Sequence, residues 1–185
     1  TGNDMDPGGR TKSRATTAVG EATTGTYTVV LNTQPTGNVT ITPLSSDTGA
    51  ATVSTVMNFT SSDWNTPQTV TVKCVADADA TAELVTISHT VAGSDYEAVT
   101  SADVGATVTD NDTAGVTNSS ATTALGEATT GTYTVVLNTQ PTGNVTITPL
   151  SSDTGAATVS TVMNFTTSDW NTPQTGTVTG VADAD

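Results

Sequence analysis

At 185 residues, with 34% hydrophobic and 4% aromatic content, the chain is lean in core-forming side chains, and threonine makes up about a quarter of it. Eighteen acidic residues against four basic ones give a formal charge of −14, which excludes the basic face that a nucleic-acid partner needs. Cys74 is the lone cysteine, so the chain holds no disulfide framework, and no apolar run reaches the ~18–20 residues of a membrane-spanning helix.

Residues 1–19 are a diverged copy of 107–125: Asp4, Asp6, Gly9 and Thr11 match Asp110, Asp112, Gly115 and Thr117. Residues 1–6 therefore correspond to the close of a preceding repeat, and an export signal is compatible with sequence upstream. Thr26–Leu31 (TYTVVL) places Tyr27, Val29 and Leu31 on one face, the period of two expected of a half-buried strand. Gln34-Pro35-Thr36-Gly37 makes a turn, and Val39 and Ile41 alternate with threonines in the next strand. After the turn at Ser45–Gly49 comes a weaker segment through Val53 and Val56 to Phe59, then a polar loop carrying Trp64. Trp64 reads as an aromatic lid over the end of a sandwich, with a ligand platform as the alternative. Val70, Val72 and Cys74 share one face of the following strand, where Cys74 reads as a small core residue. An acidic break, Ala76–Asp79, leads to a strand with Val85, Ile87, His89 and Val91 on one side. Gly93–Tyr96 turns, and Val104, Ala106 and Val108 form a last strand closed by Asp110-Asn111-Asp112.

No stretch shows helical periodicity. About seven short strands with frequent turns predict an all-β chain of immunoglobulin-like antiparallel sandwiches. Gly20–Asp79 returns as Gly126–Asp185 at an offset of 106 residues with four changes: Ser61 to Thr167, Val70 to Gly176, Lys73 to Thr179 and Cys74 to Gly180. A period near 100 makes each copy a domain, which predicts one sandwich over 1–112 and a second over 113–185. The second copy has no counterpart of residues 80–110 in this sequence and carries glycines at two inward positions. The last two strands would bury roughly six apolar side chains at about 1.5–3 kcal/mol each, comparable to the ~5–15 kcal/mol stability of a whole domain. Residues 114–185 are therefore expected not to fold alone as a stable monomer: either the sequence is a window cut from a longer array, or a neighbouring chain lends the absent strands.

The acids of the first copy fall at strand ends and turns: Glu21, Asp47, Asp77, Asp79, Glu83, Asp110 and Asp112. Every second connection of an antiparallel sandwich lies at the same pole, so these can converge. Converging carboxylates repel one another, and hard oxygen donors on flexible loops select calcium. A solvated acidic loop is the alternative, and spacing alone leaves both open.

The order of these phrases, GE before TYTVVL, an Asp in a middle turn, VADADATAE between strands and a closing VTDND, resembles the Calx-β repeat and the tandem repeats of large bacterial surface proteins. The resemblance covers 107–185 and most of 1–106. It implies calcium ligands at Glu21, Asp47, Asp77, Asp79, Glu83, Asp110 and Asp112, and a partial second set at Glu127, Asp153, Asp183 and Asp185. DAD and DND stand where that family has contiguous acidic triplets, which implies fewer ions or weaker binding, near the ~10⁻⁴–10⁻³ M of extracellular modules.

The expectation is thus an extracellular, secreted or cell-surface structural segment that serves adhesion or matrix, with calcium stiffening the domain poles. A filament subunit completed by a neighbour's strand is the alternative, and a glycan-binding module the third. The partners would be neighbouring repeats or copies of itself, or a glycan or surface ligand, without nucleic acid and without membrane insertion in this segment. An enzyme is not expected. His89, the single histidine, lies on an inward register without a nucleophile or base partner set, and the carboxylates lack an aromatic-lined cleft. The Thr-x-Thr pairs read as ordinary outward strand positions.

Overall fold

The computed structural model describes residues 10–12, 17–54, 56–119, 124–160 and 162–182. The chain is all-β and divides into two compact units, 1–77 with 81–111, and 112–185 with 78–80.

Among the described residues the first unit contains nine strands: β1 (Arg10–Lys12), β2 (Thr17–Gly20), β3 (Thr24–Leu31), β4 (Val39–Ser45), β5 (Ala51–Val53), β6 (Met57–Phe59), β7 (Gln68–Cys74), β8 (Glu83–Ala92) and β9 (Val104–Thr109). They form two sheets, in the orders β1-β3-β7-β5 and β2-β9-β8-β4-β6. The alternation read from sequence sets the packing. Tyr27, Val29 and Leu31 from one sheet and Val39, Ile41, Val85, Ile87, Ala106 and Val108 from the other meet in a single core, all at most 3% exposed. Thr at the intervening positions faces outward, where a β-branched hydroxyl side chain tolerates water. Trp64 packs partly buried against this core, and its carbonyl accepts the Leu31 N–H at 3.1 Å, as expected of a lid. His89 is buried, and its Nε2 shares a 2.6 Å hydrogen bond with the Tyr27 hydroxyl. The rings meet edge to face at 5.6 Å. Burial raises the pKa of the Tyr27 phenol, so it keeps its proton.

Two features depart from the sequence reading. The weak segment from Ala51 to Phe59 is two strands in opposite sheets, β5 against β7 and β6 against β4. The sandwich is also not wholly antiparallel, because β2 runs parallel to β9 with Gly20 opposite Thr109.

Among the described residues the second unit repeats six of these strands: β10 (Val116–Asn118), β11 (Thr130–Leu137), β12 (Val145–Ile147), β13 (Ala157–Val159), β14 (Met163–Phe165) and β15 (Gln174–Gly180). One sheet, β10-β11-β15-β13, reproduces its counterpart register for register: Tyr133 pairs with Gly176 as Tyr27 pairs with Val70. The other is a two-stranded sheet of β12 and β14. Among the described residues its core holds Val135, Leu137, Met163 and Phe165, with Tyr133, Val145, Ile147 and Trp170 only partly buried against them.

Candidate metal centre

Strand direction brings the acidic loops of the first unit to one pole. Thr24 at the start of β3 faces Lys73 near the end of β7, and Ala51 at the start of β5 faces Cys74. Glu83 at the start of β8 faces Val108 near the end of β9, and Ser45 at the end of β4 faces Ile87 of β8. The turn after β2, the Asp47 turn, the 76–83 loop and the exit from β9 therefore share that end, as the topology argument expects.

Glu21 occupies the first corner of a tight turn. Thr23 donates to the Gly20 carbonyl from its N–H at 3.2 Å and from its hydroxyl at 2.5 Å. The second corner, Ala22, has φ of 55°, a left-handed conformation that costs an alanine roughly 1–2 kcal/mol. The Glu21 N–H donates to the Thr109 carbonyl at 3.0 Å, which carries the β2–β9 pairing one residue further and turns the side chain inward. Glu21 as a whole is 4% exposed. Its Oε1 accepts the Asp77 N–H at 3.2 Å, and its Oε2 has no hydrogen-bond partner. Burying such an oxygen unmatched costs several kcal/mol by general estimates, about 1–3 for a neutral group and more for a charge.

One carboxylate oxygen from each of Glu21, Asp77 and Asp110 lies within 4.8 Å of the others. In the 76–83 loop, Asp77, Asp79 and Glu83 satisfy the same limit, so Asp77 belongs to both groups. Oxygens about 2.3–2.6 Å from a shared calcium ion stand up to roughly 5 Å apart. The donor set is thus of the right chemistry and spread for a hard cation, and the unmatched Glu21 Oε2 is a ready ligand atom. Cys74 lies next to this pole, and burial first and the Glu21 charge second raise its pKa. That thiol is a protonated core group and no soft ligand.

The remaining expected ligands fall elsewhere. Asp47 reaches the correct pole, but its Oδ1 accepts the N–H groups of Gly49 at 2.8 Å and Ala50 at 3.3 Å, closing its own turn. Asp112 belongs to neither group. In the second unit Glu127 is exposed, on a turn of the same kind with Ala128 at φ 52°, and Asp153 closes its turn through Gly155 at 2.9 Å and Ala156 at 3.3 Å. Asp183 and Asp185 lie outside the described residues. The Ser-Ser-Asp-Thr-Gly phrase is itself a turn signal in which the aspartate bonds locally, a cue that argues against Asp47 and Asp153 as free donors.

Among the described residues no helix is long and apolar enough to cross a membrane. No family model matches the sequence, and no curated protein does. Among solved structures the chain is similar to domains 4–9 of the surface layer protein SbsC, with a TM-score of 0.39 and 16% identity. The match covers 95% of this chain and 27% of that one, so this chain spans about a quarter of that structure's length. A likeness this slight carries no argument about function.

Proposed function

We propose that this chain is a structural segment of an extracellular or cell-surface protein, built from tandem sandwich repeats of Calx-β type and stiffened by calcium at the acidic pole of the first. The observation that carries this reading is Glu21, a residue 4% exposed whose Oε2 is unmatched, converging with Asp77 and Asp110. A cation there would remove the mutual repulsion of the carboxylates and tie the ends of β2, β7 and β9 together. Glu21, Asp77 and Asp110 would hold it, with Asp79 and Glu83 extending the donor set through Asp77. At a dissociation constant of ~10⁻⁴–10⁻³ M, 10 mM calcium would stabilise the folded unit by about 1.4–2.7 kcal/mol. The test is calorimetric titration together with thermal melting in calcium, in magnesium and in chelator. A melting temperature raised by calcium alone supports the reading, whereas absence of heat and an unchanged melt at millimolar calcium would refute it.

A further inference from the structure

His89 is the single histidine of the chain, and histidine is the side chain whose ordinary titration falls between pH 5 and 8. It is 8% exposed, on β8 of one sheet of the first unit. Its Nε2 lies 2.6 Å from the hydroxyl of Tyr27, which is 3% exposed on β3 of the other sheet. This bond therefore ties the two sheets across the core. Burial keeps the proton on the Tyr27 phenol, so the hydroxyl donates and Nε2 accepts. A neutral imidazole can accept in this way and an imidazolium cannot.

The strands packed around His89 offer a proton on Nε2 little compensation. Pro43 of β4 faces it across the strand pair and is buried, and the inner positions of β7 and β9 are apolar. Glu83 shares its face of β8 but lies six residues along, roughly 20 Å away, at the acidic pole. Cys74 closes β7 beside that pole, and Lys73 is exposed. Beyond the other end of β8, Asp95, Glu97 and Asp103 are all exposed, and Asp95 accepts hydrogen bonds from Thr36 and Ser94.

Retreat of the tyrosine is blocked as well. In the second unit Tyr133, the counterpart of Tyr27, lies over Gly176, where an added Cβ would fall 2.7 Å from its hydroxyl and closer still to its ring. That resting place needs a glycine. Val70 stands there in the first unit, paired with Tyr27 in the same register. Tyr27 therefore has no room to fold down onto its own sheet.

We propose that the Tyr27–His89 bond is an acid-released latch between the two sheets of the first unit. A solvent proton arriving at Nε2 sets two donors face to face and brings a charge into the core, at a cost that burial magnifies. With Val70 holding Tyr27 in place, the conflict is relieved by parting the sheets. The segment is thus firm in neutral surroundings and loosens in mildly acidic ones. The unfolded chain takes the proton at about pH 6.5 and the latched one resists it, so acidification below that value favours unfolding. The acidic pole takes no part, and the latch works with or without calcium.

The experiment uses the full 185-residue chain in chelator on a Trp170→Phe background, so that Trp64 reports urea unfolding of the first unit. From about pH 7 to about pH 5, its folding constant should fall roughly tenfold relative to a His89→Gln variant. The glutamine amide can accept the Tyr27 hydroxyl but does not titrate, and the carboxylates common to both chains cancel. Tyr27→Phe keeps the histidine buried and removes the bond, so its fall should be nearer threefold. NMR of the histidine ring, unambiguous in a chain with one histidine, gives a readout that needs no variant: the ring of the folded chain should still be neutral at about pH 6.5. A ring half protonated there while the first unit stays folded would overturn the proposal. So would wild-type and His89→Gln stabilities that run parallel with pH, or a Tyr27→Phe fall equal to that of the wild type. Because calcium is absent throughout, the latch and calcium stiffening stand or fall separately.

Discussion

Glu21 is costly without a cation and useful with one, so a single substitution separates the two states. Glu21→Gln keeps the shape and removes the charge. It is expected to raise the stability of the first unit in chelator, by about 1 kcal/mol or more given the cost of an unmatched buried charge. In calcium the same variant should melt below the wild type. Crossing melting curves in chelator and in calcium are the readout, and parallel curves would contradict the site. Asp63 and Asp169 govern a different response. Each accepts the N–H and hydroxyl of the threonine three residues back, Thr60 at 2.6 and 2.9 Å and Thr166 at 2.5 and 2.9 Å. These bonds, the backbone one first, hold both carboxyls below the usual carboxylate range. A depressed folded pKa stabilises above the unfolded value of about 3.9, and that contribution fades as pH falls through the folded value. The stability difference between wild type and Asp63→Ala should therefore shrink as the solution is acidified below about pH 4, as denaturant titration at several pH values would show. Cys74, 1% exposed with its pKa raised by burial and by Glu21, should resist alkylation until the first unit unfolds.

At the level of elements, VTITPLS makes a seven-residue strand in one unit and a three-residue strand in the other. The neighbour decides. Thr42 to Ser45 pair only with β8, so extended pairing beyond Ile147 has nothing to hold it where no such strand is present. This is why strand length was not legible in the sequence while strand identity was. The alternation of β3, β4, β7, β8 and β9 marked the inward faces residue by residue. In contrast, β2 has one inward apolar residue, Val19, and gave no period to read. The Ala51–Phe59 segment appeared as one weak run because its two short strands serve opposite sheets. Position 70 is the sharpest test at this scale. Val70→Gly copies the second unit into the first, opening a cavity beside Tyr27, which stays bonded to His89. The expected loss is about 2–4 kcal/mol in the first unit's urea transition. A near-neutral result would mean that Tyr27 can leave His89 and fold down as Tyr133 does.

For the molecule as a whole, the two units differ in how much they bury. The first core joins both sheets through residues such as Phe59, Val85 and Val108, each at 0% exposure, while the second centres on Phe165 and Met163. The second unit should consequently lose amide protection at lower denaturant than the first. Phe165→Ala, a change worth roughly 3–5 kcal/mol in an intact core, should abolish its protection and leave the first unit's transition in place. Convergence of Glu21, Asp77 and Asp110 was legible from topology, because strand direction alone assigns each loop to a pole. The engagement of Asp47 Oδ1 in its own turn was not, since it depends on which way one carboxylate turns within a loop that reaches the correct end. The matched sheets have a further consequence. β3 and β11 carry the same eight residues and take corresponding places against β7 and β15. A chain stretched open and then relaxed therefore offers each of these strands two nearly equivalent mates. Refolding under tension should occasionally trap a swapped hybrid, visible in single-molecule pulling as a rupture whose contour length fits neither native repeat.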